Sequence, residues 1–170
     1  MEHQDISIKP YATRFGLAFG GASILVLLLL YVFQLEQNAG IGILNLLINT
    51  AIVFYAIHLY KNDNAAQLNF STALKIGLAI GAIGGLIYAV YTYLHYSFIQ
   101  PEFIESMKTE ALTAVEAEIT KQKMEGEQAE MAKSVALLFT TPFVIATMGL
   151  ISIMLKTFFI SLIVGLIKKN

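Results

Sequence analysis

Residues 24–30 read Ile-Leu-Val-Leu-Leu-Leu-Leu, and residues 160–167 read Ile-Ser-Leu-Ile-Val-Gly-Leu-Ile. A helix on the surface of a soluble bundle keeps an apolar stripe towards its core and a polar face towards water. The first stretch has no polar face, and in the second Ser161 is the lone polar side chain. A soluble four-helix bundle with thick cores is the competing reading, and these two stretches argue against it.

The spacing of charge extends the reading outward. Uncharged stretches of 21, 24 and 26 residues separate Arg14 from Glu36, Glu36 from Lys61 and Lys75 from Glu102. Between Lys133 and Lys168 the one charge is Lys156. A helix rises about 1.5 Å per residue and a hydrocarbon core is about 30 Å thick, so about 20 apolar residues cross it. Four spans follow, at about 15–33, 41–60, 76–99 and 142–167, within a single integral membrane domain, residues 1–170. The fold class is all-α: a four-helix transmembrane bundle, with the polar residues 101–134 as an extramembrane helical hairpin between spans three and four. The first span is longer than a cleaved signal core of about 7–15 residues, and it reads as a retained anchor.

Composition excludes several classes. Only 14% of the 170 residues are charged, too few to cover a surface in water, where about a quarter is usual. A formal net charge of −1 gives no basic field for nucleic acid. With no cysteine there is no disulfide framework, thiolate metal site or cysteine nucleophile.

Lys and Arg in short loops set orientation. With the N-terminus cytoplasmic, the inside holds Lys9, Arg14, Lys61, Lys75, Lys168 and Lys169, whereas the first outside loop, residues 34–40, holds only Glu36. Both termini are therefore expected in the cytoplasm. In the outer insert, Pro101 suits a first helical turn. Ile104, Met107 or Lys108, Ala111, Val115 and Ile119 form a stripe opposite Glu105, Glu110, Glu116 and Lys123, Gly126 is a break, and a short second helix runs from Glu127 to Lys133. The hairpin either caps the bundle or lies on the membrane, or else it docks a protein partner.

Small residues recur at helical spacing. Gly77, Gly81 and Gly85 share a face of span three, Gly16 and Gly20 a face of span one, and Thr157, Ser161 and Gly165 a face of span four. Such faces let backbones approach closely, either within one bundle or between copies in a homo-oligomer.

Asn45, Asn49, Tyr88 and Lys156 are the unusual polar groups. Asn49 and Lys156 each stand 12 residues from a terminal lysine of their span, Lys61 and Lys168, which at about 1.5 Å per residue places them near the midplane. Asn45 is one turn further out, and Tyr88 reaches similar depth. A lysine there costs about 2.5–3.5 kcal/mol to insert and needs partners. Three readings compete: Lys156 snorkels to the interface, it joins a static buried cluster with Asn45, Asn49 and Tyr88, or that cluster is an anion-binding or proton-coupled site.

Signatures of hydrolases, zinc proteases, phosphate-binding loops and dinucleotide folds are absent, so no catalytic residue, metal site or cofactor is expected. His3, His58 and His95 are isolated, and the glutamates of the insert have no metal-ligand spacing.

The order of features resembles a bacterial membrane-protein family, domain of unknown function 4199, over about residues 13–169. The resemblance rests on four spans, the glycine-rich third span, Gln100-Pro101-Glu102-Phe103, Glu127-Gln128-Ala129-Glu130, Phe139-Thr140-Thr141-Pro142 and the closing Ser161-Leu162-Ile163 with terminal lysines. It implies a multi-pass protein of the bacterial inner membrane and no assigned activity. The expected role is a non-enzymatic accessory or scaffold component, partnered by the lipid bilayer and by a protein on the insert or a second copy. The alternative is a small oligomeric transporter or channel with a polar cluster at mid-membrane. The lack of deep acidic residues favours the first reading. A wet cavity lined by Asn45, Asn49, Tyr88 and Lys156 would favour the second.

Overall fold

The computed structural model describes residues 6–35 and 39–169. Glu36 of the first outside loop lies outside the described residues. Six α-helices make up the described chain, with no strand among the described residues. They are α1 (Lys9–Phe33), α2 (Ala39–Asp63), α3 (Phe70–Leu94), α4 (Pro101–Gln122), α5 (Glu127–Phe139) and α6 (Pro142–Lys168), with a π-helical turn at His95–Ile99 after α3.

Four of these are long and apolar enough to cross a membrane: α1, α2, α6 and the continuous stretch Phe70–Ile99. Each overlaps a span expected from the charge gaps and begins earlier or ends later, because polar residues such as Lys9 and Asp63 extend a helix beyond the hydrocarbon. Leu25, Leu29, Ile43, Leu47, Leu155 and Ile163 are exposed to half or more of their surface. Continuous exposed apolar area on this scale belongs in lipid rather than water.

Two compact units divide the chain, cutting α3 after Tyr88 and α6 before Gly149. In the first, α1, α2, α3 to Tyr88 and α6 from Gly149 surround Phe19, Val53, Ile57, Ile76, Ile80 and Ile153. Its helices meet through small residues. Gly16 and Gly20 of α1 face Ile83, Gly84 and Ile87 of α3 in parallel register. On a different side of α3, Gly77 lies on Ser161 and Thr157, Gly81 on Thr157, and Gly85 on Leu150 and Ile153, an antiparallel seam with α6. Gly165 closes it against Ala73 and Phe70. Thr157 and Ser161 are fully buried, yet their hydroxyls donate to the carbonyls of Met154 and Phe158 on their own helix. The seam thus gains close contact without orphaning a donor.

At one end of this unit the first described residues, the α2–α3 connection and the end of α6 come together. Asn64, 1% exposed, accepts from the Ile6 N–H at 3.1 Å and donates to the Gln67 carbonyl at 2.9 Å. Tyr60 donates to the Ile6 carbonyl at 3.0 Å, and Tyr11 to Asp63 at 2.6 Å. Lys61 donates to the Lys168 carbonyl at 2.7 Å, satisfying one of the last open acceptors of α6. Lys168 stands 4.6 Å from the centre of the Phe54 ring and 3.1 Å from His58 Nδ1.

The second unit, Ala89–Met148, holds the end of α3, the π turn, α4, α5 and the start of α6. The π turn carries His95, fully buried, between the Tyr91 hydroxyl at 3.4 Å and Gln100 Oε1 at 3.2 Å, with its ring edge-on to Tyr96. α4 ends at Lys123, which takes a left-handed conformation (φ 53°) so that Met124 N–H reaches the Ile119 carbonyl at 3.0 Å. Gly126 (φ 57°) then opens α5, at the break expected from sequence. α5 departs from expectation in length: it runs to Phe139, not Lys133, because nothing halts it before Thr140-Thr141-Pro142. There Thr141 accepts from Val144 N–H at 3.4 Å as a cap, and Pro142 enters the first turn of α6. α4 and α5 pack together through Glu116 and Lys133, 3.7 Å apart, and over a groove lined by Met107, Ala111, Val115, Ala136 and Phe139. Glu110 also lines that groove, so the charged face is not opposite the stripe at this position: Glu110 flanks Ala114, one turn away.

Candidate functional site

Asn45, Asn49, Tyr88 and Lys156 line one cavity of the first unit, together with Ser23, Gly149, Ser152 and Ile153. Its volume is about 120 Å³ and it is partly open. All four long helices contribute. α1 supplies Ser23 and α2 the two asparagines, one turn apart. α3 supplies Tyr88, and α6 supplies Gly149, Ser152 and Lys156, spaced at about one turn so that they share a face. Gly149 leaves room for the Tyr88 ring, whose Cε1 would lie 3.3 Å from any Cβ placed there. A larger residue at position 149 would press on that ring.

The polar groups are incompletely paired. Asn49 Nδ2 donates to Asn45 Oδ1 at 3.1 Å, which ties the amides along α2. Asn49 is 1% exposed and Ser23 4%, and neither Asn49 Oδ1 nor Ser23 Oγ has a partner among the described residues. Lys156 is half-buried, and among the described residues its ammonium makes no hydrogen bond or ion pair. Leaving a buried acceptor unmet costs about 1–3 kcal/mol, and a charge costs more. Such groups call for a polar partner, and the arrangement suits water or a small polar solute held between the helices.

The glycines expected to pack helices occupy the contacts described above: Gly16 and Gly20 face α3, and Gly77, Gly81 and Gly85 face α6. All five are engaged within the chain. Sequence reasoning missed Ser23 and Ser152. Ser152 was accessible to it, standing one turn before Lys156 on the same face. Ser23 was not, since only the packing of α1 shows which way it points. Reasoning from sequence also passed over Asn64, which looks like an ordinary loop residue.

Among the described residues no three His, Cys, Asp or Glu side chains gather as a metal site would require. No curated protein and no solved structure matches the chain. A family described as "Protein of unknown function (DUF4199)" matches residues 14–170, and the chain belongs to that family.

Proposed function

We propose that this chain is a multi-pass membrane protein that holds a small polar solute between its helices, as a carrier, channel subunit or solute-responsive component without a chemical step of its own. One observation carries the reading: among the described residues Lys156, Asn49 Oδ1 and Ser23 Oγ have no partner, and their side chains line a partly open cavity of about 120 Å³ to which all four apolar helices contribute. Polar groups at this depth are expensive, and their cost is offset only when something polar enters.

In this proposal the membrane is a bacterial inner membrane with both termini cytoplasmic. Lys61 and Lys168 come together at the end of the first unit where the chain's described ends also meet, and clustered lysines favour the cytoplasmic face. The α4–α5 hairpin then lies outside. Four helices enclose little water, so a conducting form would be an oligomer. An accessory or scaffold role is the second reading, favoured by the exposed apolar face of α5, where Met131, Val135 and Leu138 are exposed to about half or more of their surface.

The absence of cysteine makes the test direct. Ser152→Cys, in membrane vesicles, should react with a small water-soluble thiol reagent, whereas Ile151→Cys, exposed at the same depth of the same helix but about 100° round it and outside the cavity, should react only with a lipid-soluble one. Equal protection of both from the water-soluble reagent would remove the solute-binding reading and leave the accessory role.

A further inference from the structure

The chemistry of the cavity narrows what it takes. Among its lining residues Lys156 is the one charged group, and no carboxylate accompanies it. An ammonium kept in a low-dielectric site is stabilised by a counter-ion, and here the protein supplies none. Several of the remaining polar groups can donate, the hydroxyls by turning. Besides Lys156 there are the Asn45 amide, whose oxygen is already taken by Asn49, and the hydroxyls of Ser23 and Ser152. An anion answers all of these.

An anion alone leaves one group unmet. Asn49 Oδ1 is buried without a donor. Exchanging the O and N positions of the two amides changes which asparagine bears the open oxygen but not its existence, since a pair joined by one hydrogen bond always keeps one carbonyl free. The occupant must therefore offer an O–H or N–H as well as negative charge. The cavity's volume of about 120 Å³ is the share of about four waters, so an occupant of four to five heavy atoms fits it.

We infer that the cavity binds a small hydrogen-bearing oxyanion, of the bicarbonate or dihydrogen phosphate type. Its charged oxygens are held by Lys156 and the Asn45 amide, and its O–H is given to Asn49 Oδ1. This rests on the solute-binding reading above and names its ligand class. A phospholipid headgroup is the other source of such an anion, but a phosphodiester has no proton to give Asn49.

Three molecules of four heavy atoms and similar planar shape separate the requirements: bicarbonate (charge and O–H), nitrate (charge, no donor) and urea (donors, no charge). Binding of each to the full chain in detergent is followed by calorimetry. Bicarbonate should bind, with nitrate and urea each at least tenfold weaker, because an unmet buried acceptor or an uncompensated ammonium is left in each case. Lys156→Gln should weaken bicarbonate at least tenfold, whereas Lys156→Arg should retain it. Nitrate equal to bicarbonate, or Lys156→Gln equal to the unaltered chain, overturns the inference. Urea as the sole binder overturns it too but leaves a solute site standing. If none of the three binds while Ser152→Cys still reacts from water, the inference falls and the wet cavity survives; if Ser152→Cys is protected as well, both fall. Should the Lys156 variants fail to fold, the three-ligand comparison on the unaltered chain decides alone.

Discussion

Adding one methyl group at Gly77 should destabilise the protein although alanine is the better helix former. A Cβ at position 77 would fall on the Cβ and Oγ of Ser161, closer than the 3.0 Å that real Cβ contacts essentially never breach, with the Thr157 carbonyl 3.1 Å away. None of these atoms is the end of a flexible chain. Relief therefore requires α3 and α6 to part, which also loosens Gly81 on Thr157 and Gly85 on Ile153 along the same seam. Gly→Ala gains about 0.8–1.0 kcal/mol of helix propensity. Overpacking costs about 1–3 kcal/mol, so a net loss of up to about 2 kcal/mol is expected. Gly21 supplies the control, because a Cβ there meets nothing within 4 Å and only the propensity gain remains. Since both share the propensity gain, the two variants should differ by the overpacking cost alone, about 1–3 kcal/mol, in unfolding by a denaturing detergent added to mild-detergent micelles. Ser161→Gly should rescue Gly77→Ala by moving the methyl to the other side of the seam. If Gly77→Ala proves as stable as Gly21→Ala, or if the second change rescues nothing, the seam does not have this geometry.

Three further outcomes follow from the same structure. Asn64→Leu should cost about 2–4 kcal/mol, because the Ile6 N–H and Gln67 carbonyl lose their buried partner, and the loss should appear as a lower melting temperature in detergent. Lys123→Gly should raise stability by about 0.5–1 kcal/mol, since glycine takes the left-handed conformation at φ 53° without the steric penalty; thermal melting checks the sign. Asn49→Leu should change stability by less than about 1 kcal/mol, because an unmet oxygen is removed while Asn45 Oδ1 loses its donor, and bicarbonate binding measured by calorimetry should be lost. A large destabilisation by Asn49→Leu would instead make the asparagine a structural residue.

The sequence by itself determined the number and type of the long elements. Uncharged stretches of more than 20 residues must hydrogen-bond their own backbone in lipid, and a helix does so without reference to any neighbour. Breaks were legible where the chemistry is local, as at Gly126 and Pro142. The end of α5 was read too early because charge thins out at Lys133 while nothing stops the helix until Thr140, and thinning charge is not a stop signal. Tertiary structure alone decided which glycine faces which helix: Gly84 meets α1 while its neighbour Gly85 meets α6, a difference of about 100° of rotation that periodicity cannot assign to a partner. It also decided that Ser23, from a helix remote in sequence, joins Asn49 and Lys156 around one cavity. In lipid every apolar face is equally well solvated, so hydropathy does not rank the faces. Close packing of small residues fixes the rotation of each helix, and only that rotation gathers the polar groups.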